Sequence, residues 1–247
     1  TQAGNATIDV ASGKTITFDN GTISTENYQL TLEGAGTIAF SDNASGIVVN
    51  NAGGLLKIDG TGTLQAARVT AASNTGKGVQ VVKSSTISSL KVAANTNLDI
   101  NSYKTFSGST EVADGTTLTL NGQGTFGSGL NLLGTLELGT ELTVSGAISI
   151  AGDSAICFLG ASTLFYSGGE LNVGSHTLSI AGAGRFMNDN ASPLVLDLPD
   201  SILDLTGNGI ISGPVRLEGC TLKASGSPTI SGDITQYDNA TIEVSSG

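Results

Sequence analysis

One pattern keeps returning along this chain: an apolar residue, any residue, a second apolar residue, any residue, then Gly-x-Gly. It stands as Leu30-Thr-Leu-Glu-Gly-Ala-Gly36, Leu56-Lys-Ile-Asp-Gly-Thr-Gly62, Leu118-Thr-Leu-Asn-Gly-Gln-Gly124, Leu178-Ser-Ile-Ala-Gly-Ala-Gly184 and Leu203-Asp-Leu-Thr-Gly-Asn-Gly209. Weaker copies begin at Val79, Leu98 and Leu142. In chain order the starts are therefore Leu30, Leu56, Val79, Leu98, Leu118, Leu142, Leu178 and Leu203, evenly spread except for one long step before Leu178. A unit of this size cannot bury an apolar face by itself. Stacking neighbours buries it, which is the logic of a solenoid.

The strand signal lies inside the repeat. Thr7-Ile8-Asp9-Val10, Thr15-Ile16-Thr17-Phe18, Leu136-Glu137-Leu138 and Leu142-Thr143-Val144 alternate apolar and polar residues, so each buries one face. Gly, Asn, Asp or Ser follows within a few residues, which is turn chemistry. No stretch carries an apolar stripe of helical spacing and length. Gly supplies 35 of 247 residues, about twice the usual share, and Pro only four. The Gly-x-Gly corner lets the chain turn with positive φ or pass close to its neighbour. A β-sandwich is the competing architecture, but it leaves that recurrence without a role. The fold expected is therefore all-β: a single right-handed parallel β-helix (a β-solenoid) over residues 1–247, with about eleven coils of roughly 20–26 residues each. Right-handedness follows the general preference of parallel crossovers. Leu30, Leu56, Leu118 and Leu178 are expected to share one interior column.

Two further repeats are longer. Gly34-Ala-Gly36, Phe40 and Asp42 to Val49 correspond to Gly182-Ala-Gly184, Phe186 and Asp189 to Leu196. More specific is a match between the ends. Thr1-Gln-Ala-Gly-Asn-Ala-Thr-Ile-Asp-Val-Ala-Ser-Gly13 and Thr235-Gln-Tyr-Asp-Asn-Ala-Thr-Ile-Glu-Val-Ser-Ser-Gly247 agree at nine of thirteen positions. Thr1 and Thr235 stand apart by about eleven coils of roughly 21 residues each. The chain thus reads as one period of a longer object. Both ends are ordinary strands rather than polar caps, and an uncapped strand edge is a template for another strand. Head-to-tail stacking that does not close into a ring makes a filament. The residues expected to carry it are Thr7, Ile8 and Val10 at one end and Thr241, Ile242 and Val244 at the other, with Ile8 and Val10 set against Ile242 and Val244.

The run Gly53-Gly54-Leu55-Leu56-Lys57-Ile58-Asp59-Gly60-Thr61-Gly62-Thr63-Leu64 resembles the autotransporter-associated β-strand repeat, roughly Gly-Gly-Leu-x-Lys-x-Gly-x-Gly-Thr-Leu-x-Leu. It has one extra residue between Lys57 and Gly60, and Gln65-Ala66 replaces the closing strand. Gly34 to Ile38 and Gly122 to Phe126 resemble the core of that element. The resemblance implies a bacterial surface or secreted β-helix of the kind found in autotransporter passengers and large adhesins.

Composition argues against several other functions. The net charge is −11, with ten Lys and Arg against 21 Asp and Glu. Nucleic-acid binding needs a basic face, and an anionic membrane surface attracts basic segments. No apolar run approaches the length of a membrane span, and no Lys/Arg-flanked apolar start reads as a signal peptide. Catalysis finds little support. Gly152-Asp153-Ser154 resembles the nucleophile strand of chymotrypsin-like proteases, but Ala155 stands where Gly is needed, and the one histidine, His176, follows the serine. Pectate-lyase-like and polygalacturonase-like helices cluster Asp with basic residues. Here Asp9, Asp19, Glu33, Asp42, Asp59, Asp99, Glu111 and Asp204 are dispersed. No Cys/His cluster or calcium nonapeptide appears, so no metal or other cofactor is expected. Cys157 and Cys220 read as buried free thiols. An ice-binding face would need a Thr pair in every coil. The Thr15/Thr17 and Thr117/Thr119 pairs, with Thr61/Thr63 in a turn, do not supply that. The Asn-x-Ser/Thr acceptors at Asn5, Asn20, Asn43, Asn190 and Asn239 are no more than composition provides.

The function expected is structural and not enzymatic: a subunit or segment of an extracellular fibre or bacterial surface filament, with itself as partner. A monomeric adhesin or passenger domain that binds host or surface glycans is the alternative. A polysaccharide-active enzyme ranks third.

Overall fold

The computed structural model describes residues 2–41, 44–65, 68–72, 75–81, 89–93, 96–100, 104–189 and 192–245. These residues form 33 short strands and no helix. The strands pair in five sheets, all parallel. The longest sheet has twelve strands stacked in chain order. We number them as rungs 1 to 12: Ala6–Val10, Gln29–Gly34, Leu55–Ile58, Thr75–Val81, Thr96–Ile100, Thr117–Asn121, Thr135–Leu138, Ser154–Phe158, Thr177–Gly182, Ile202–Gly207, Thr221–Gly226 and Thr241–Ser245. The chain leaves this sheet, crosses a second face, then a third, and returns one rung higher; in the coil that rung 4 opens, the stretch between the first and third faces lies outside the described residues. The second face carries a three-stranded sheet from Thr15–Phe18 to Thr63–Gln65 and a seven-stranded one from Lys104–Phe106 to Thr229–Ile230. The third carries a seven-stranded sheet from Gly21–Ser24 to Ile148–Ile150 and a four-stranded one from Leu171–Asn172 to Ile234–Tyr237. This is a β-solenoid, and its twelve rungs roughly match the coil number expected from the repeat. At about 4.8 Å per rung the stack is roughly 50 Å long.

The alternation puts apolar side chains inside. Leu136 and Leu138 of rung 7 are fully buried while Thr135 and Glu137 face outward. One continuous core runs from Val10 to Leu222. Rings meet in pairs along the second face: Phe18 stacked on Phe40 with centroids 5.2 Å apart, Phe106 edge-on to Phe126 at 5.5 Å, and Tyr166 tilted against Phe186 at 6.4 Å. The buried Tyr166 hydroxyl accepts the Ile148 N–H at 3.4 Å. Coil length is elastic because corners absorb the difference. Leu30 pairs with Leu56 at the end of a long coil, and Leu118 pairs with Leu136 at the end of a short one.

Three details correct the sequence reading. Leu30, Leu56, Leu118 and Leu178 all enter the shared core, but they do not form one column. Leu30 pairs with Leu56, Leu56 with Val79 and Val79 with Leu98, after which Leu98 meets Leu120 rather than Leu118. A second offset puts Leu178 above Ser154 rather than above Ile156. Each offset is by one inward position, and such a shift keeps the inward face inward. Leu142 is not a coil start, since it lies on the second face, one strand after rung 7. The long step from Leu142 to Leu178 hides rung 8 (Ser154–Phe158), which no Gly-x-Gly follows. Of the longer repeat, Phe40 and Phe186 point inward, as do Ile47 and Val49 in the first copy and the corresponding Leu194 and Leu196 in the second. Asp42, Asn43 and Asn190 lie outside the described residues.

Gly122 illustrates the corner. Its φ is +114°, and a Cβ there would run into the carbonyl oxygen of Ile100 in the coil below. Thr110 is a local defect of the core. It is fully buried between Leu90 and Leu130, and its hydroxyl has no hydrogen-bond partner among the described residues. Thr110→Val keeps the shape and removes that unsatisfied group, so it is expected to stabilise the chain by about 1 kcal/mol. Denaturant unfolding followed by circular dichroism checks this.

Candidate functional site

Rung 1 and rung 12 lie at opposite ends of the stack, each with one strand edge that pairs with no other described strand of this chain. Rung 1 lies on rung 2 with Thr7 opposite Thr31, Ile8 opposite Leu32 and Val10 opposite Gly34. Val10 is buried, Ile8 is half-buried and Thr7 is exposed. Around them Ile8, Phe18, Ile23 and Leu30 line a recess of about 280 Å³, the open lower end of the core. Rung 12 lies on rung 11 with Ile242 opposite Leu222 and Val244 opposite Ala224. Ile242 is 51% exposed and Val244 79%, although both continue inward columns. Thr241 is exposed as well. The fold thus groups Thr7, Ile8 and Val10 at one end and Thr241, Ile242 and Val244 at the other. It brings no residue of one set to the other within the chain.

Sequence reasoning missed part of each end. Phe18 and Ile23 belong to the lower face, and Ile234 (46% exposed), which stands opposite the buried Val215, to the upper one. The available signal was membership of the first and last coils, which the alternation gives only once coil boundaries are known.

Elsewhere several of the polar residues singled out by the sequence are engaged in structure. The Ser154 side chain is buried, and its hydroxyl donates to the Leu132 carbonyl at 2.8 Å. Asp153 accepts the Thr177 N–H at 2.8 Å. The Gly152-Asp153-Ser154 segment therefore pins a corner between coils. Asp59 pairs with Lys57 at 2.8 Å, Glu111 with Lys91 at 2.9 Å, and Asp99 accepts from Asn121 at 3.0 Å. Among the described residues no group of three His, Cys, Asp or Glu side chains is arranged to hold a metal ion. Burial pushes the Cys157 thiol up, and the Glu137 carboxylate adds to this; burial also pushes up the Cys220 thiol. Both are free, but only Cys220 is buried as expected; Cys157 is half-buried on the outward side of rung 8, opposite Glu137. Thiols held protonated are poor nucleophiles. The Thr rank Thr15–Thr37–Thr63 holds over three coils, but its companion reads Thr17, Ala39, Gln65. No helix of the described residues is long and apolar enough to cross a membrane.

The fold defines the class as a parallel β-solenoid whose exposed core residues are concentrated at its two end faces. Compared with known proteins, the chain matches no protein-family model, no curated protein and no solved structure.

Proposed function

We propose that this chain is a structural segment of a bacterial extracellular fibre or surface filament, extended by head-to-tail contact of its end faces. The observation that carries the reading is the exposure of core-column residues, Ile242 and Val244 at one end and the Ile8–Phe18–Ile23 recess at the other. The match of residues 1–13 to 235–247 at nine of thirteen positions supports it. Main-chain groups of an edge strand supply the affinity and the inward side chains the specificity, as in other strand additions. The resemblance of Gly53 to Leu64 to the autotransporter-associated repeat supports the surface location. It also favours the second reading, a passenger-type adhesin domain that binds glycans as a monomer.

Negative-stain microscopy over a concentration series separates the two. Rods about 50 Å long at low concentration should lengthen in multiples as concentration rises. Burying an Ile or Val side chain is worth about 1.5–3 kcal/mol. The double variant Ile242→Lys, Val244→Lys is therefore expected to raise the concentration needed for growth by about 100-fold or more. With a net charge of −11, copies repel one another, so growth should quicken with added salt. Single rods at every concentration and salt level would leave the monomeric reading.

A further inference from the structure

The second face carries an outward patch that breaks the Thr and Ser pattern around it. Phe165 of the strand Thr163–Tyr166 stands opposite Met187 of Arg185–Asn188. The column they interrupt reads Thr105, Thr125 and Thr143 below and Ser212 above. Beside it runs a second outward column, in which Thr163, Arg185 and Ile210 follow one another. Glu141, the residue before Leu142, continues that column one coil below Thr163. Phe165, Met187 and Ile210 are half-buried, and Arg185 is exposed. Met187 is the one methionine of the chain. Aromatic rings, methionine and arginine are the residues that protein interfaces collect, and here all three lie side by side.

The patch also holds two unpaired charges of opposite sign. Arg216 is held by Glu170 at 2.7 Å and Glu218 at 2.8 Å. Among the described residues neither Arg185 nor Glu141 forms an ion pair. They stand one coil above and one coil below Thr163, so about 10 Å apart along the rod.

We propose that two copies of this rod pair side by side through their second faces, running in opposite directions, about a twofold axis along the strand Thr163–Tyr166. A half-turn about that line keeps the strand direction and reverses the order of the coils. Arg185 of each copy then faces Glu141 of the other, so the ion pair forms twice. Phe165 meets its own counterpart at the centre, Met187 meets Thr143, and Ile210 meets the stem of Gln123. Facing sheets stand about 10 Å apart, a gap that an Arg–Glu pair or two opposed rings can span. Such an interface is self-complementary, as a twofold contact must be.

The charges single out this arrangement. An axis one coil higher sets Arg185 against Arg185, and one coil lower sets Glu141 against Glu141. Rods running in the same direction would put Arg185 opposite Asp189, which is already engaged within its own chain, and would leave Glu141 facing Ser145. The pairing goes beyond the head-to-tail reading and does not depend on it. A face of four-residue strands is about 13 Å wide, and the five coils involved cover about 24 Å of rod, giving about 300 Å² per copy. That is small beside stable complexes, so pairing is expected at about 0.1–1 mM.

Thr163 lies on the axis, so a cysteine there faces its own counterpart. Full-length Thr163→Cys chain, in a Cys157→Ser, Cys220→Ala background, is treated with a short bismaleimide in that concentration range. A linked dimer is expected on a denaturing gel. Adding Arg185→Glu opposes carboxylates at both contacts, and adding Glu141→Arg opposes guanidinium groups. Either substitution alone should cut the linked fraction at least tenfold. Mixing the two variants restores opposite charges at both contacts, and the linked heterodimer should return. No link in the parent, no loss in either single variant, or no recovery in the mixture overturns the pairing. Loss with Arg185→Glu but not with Glu141→Arg also overturns it, in favour of rods running in the same direction. Rod length keeps the head-to-tail reading separate. Rods that lengthen without linking at residue 163 leave that reading standing, and linking without lengthening removes it alone.

Discussion

Phe126→Ala will lower the unfolding free energy by about 3–5 kcal/mol, the usual range for emptying a large buried ring site. Phe126 is fully buried, lies edge-on to Phe106 with centroids 5.5 Å apart, and occupies a column between Phe106 and Val144. In a stacked array a coil touches only the coils above and below. The loss therefore falls on both interfaces of one coil, and the denaturation curve is expected to broaden or split as the two halves uncouple. Thr143→Ala, on the outward side of the same sheet, should change stability by less than about 0.5 kcal/mol. Equal effects from the two substitutions would mean that the ring column does not hold the coils together.

Gly122→Val is the second large effect, and it acts through the backbone. A β-branched residue is strained at φ +114°, at about 1–3 kcal/mol, and its Cβ meets the Ile100 carbonyl oxygen, adding an overpacking penalty of about 1–3 kcal/mol. Because the obstacle is main chain, no side chain can swing away. Gly115→Ala is the control: its φ is +66°, but a Cβ there meets nothing within 4 Å, so the expected loss is only about 1 kcal/mol. Thermal unfolding of both variants measures the difference. A Gly122→Val protein as stable as the Gly115→Ala one would contradict the close approach of coils at that corner.

The fold was legible because its two determinants are local. Thr135 to Leu138 alternates whatever surrounds it, and Leu118 to Gly124 carries its own corner. Register was not legible, for a physical reason. Moving Leu118 from the Leu98 column to the next leaves every inward residue inward, so alternation does not distinguish the two arrangements. Rung 8 was overlooked because Ser154-Ala-Ile-Cys-Phe158 opens with a buried serine and lacks the glycine pair. The six terminal residues were legible as a repeated strand. The contributions of Gln2 and Asn5 appear only when both are seen reaching for Gln29.

The succession of rungs also has a mechanical meaning. The ladder hydrogen bonds point along the rod, and the two termini leave it at opposite ends. A pull on those termini loads one rung at a time rather than shearing a whole sheet. Each coil would come away singly and release about 20 residues, roughly 70 Å of slack at full extension. A rod made this way would yield in small, repeatable steps instead of snapping, and single-molecule force spectroscopy should record a sawtooth with one tooth per coil.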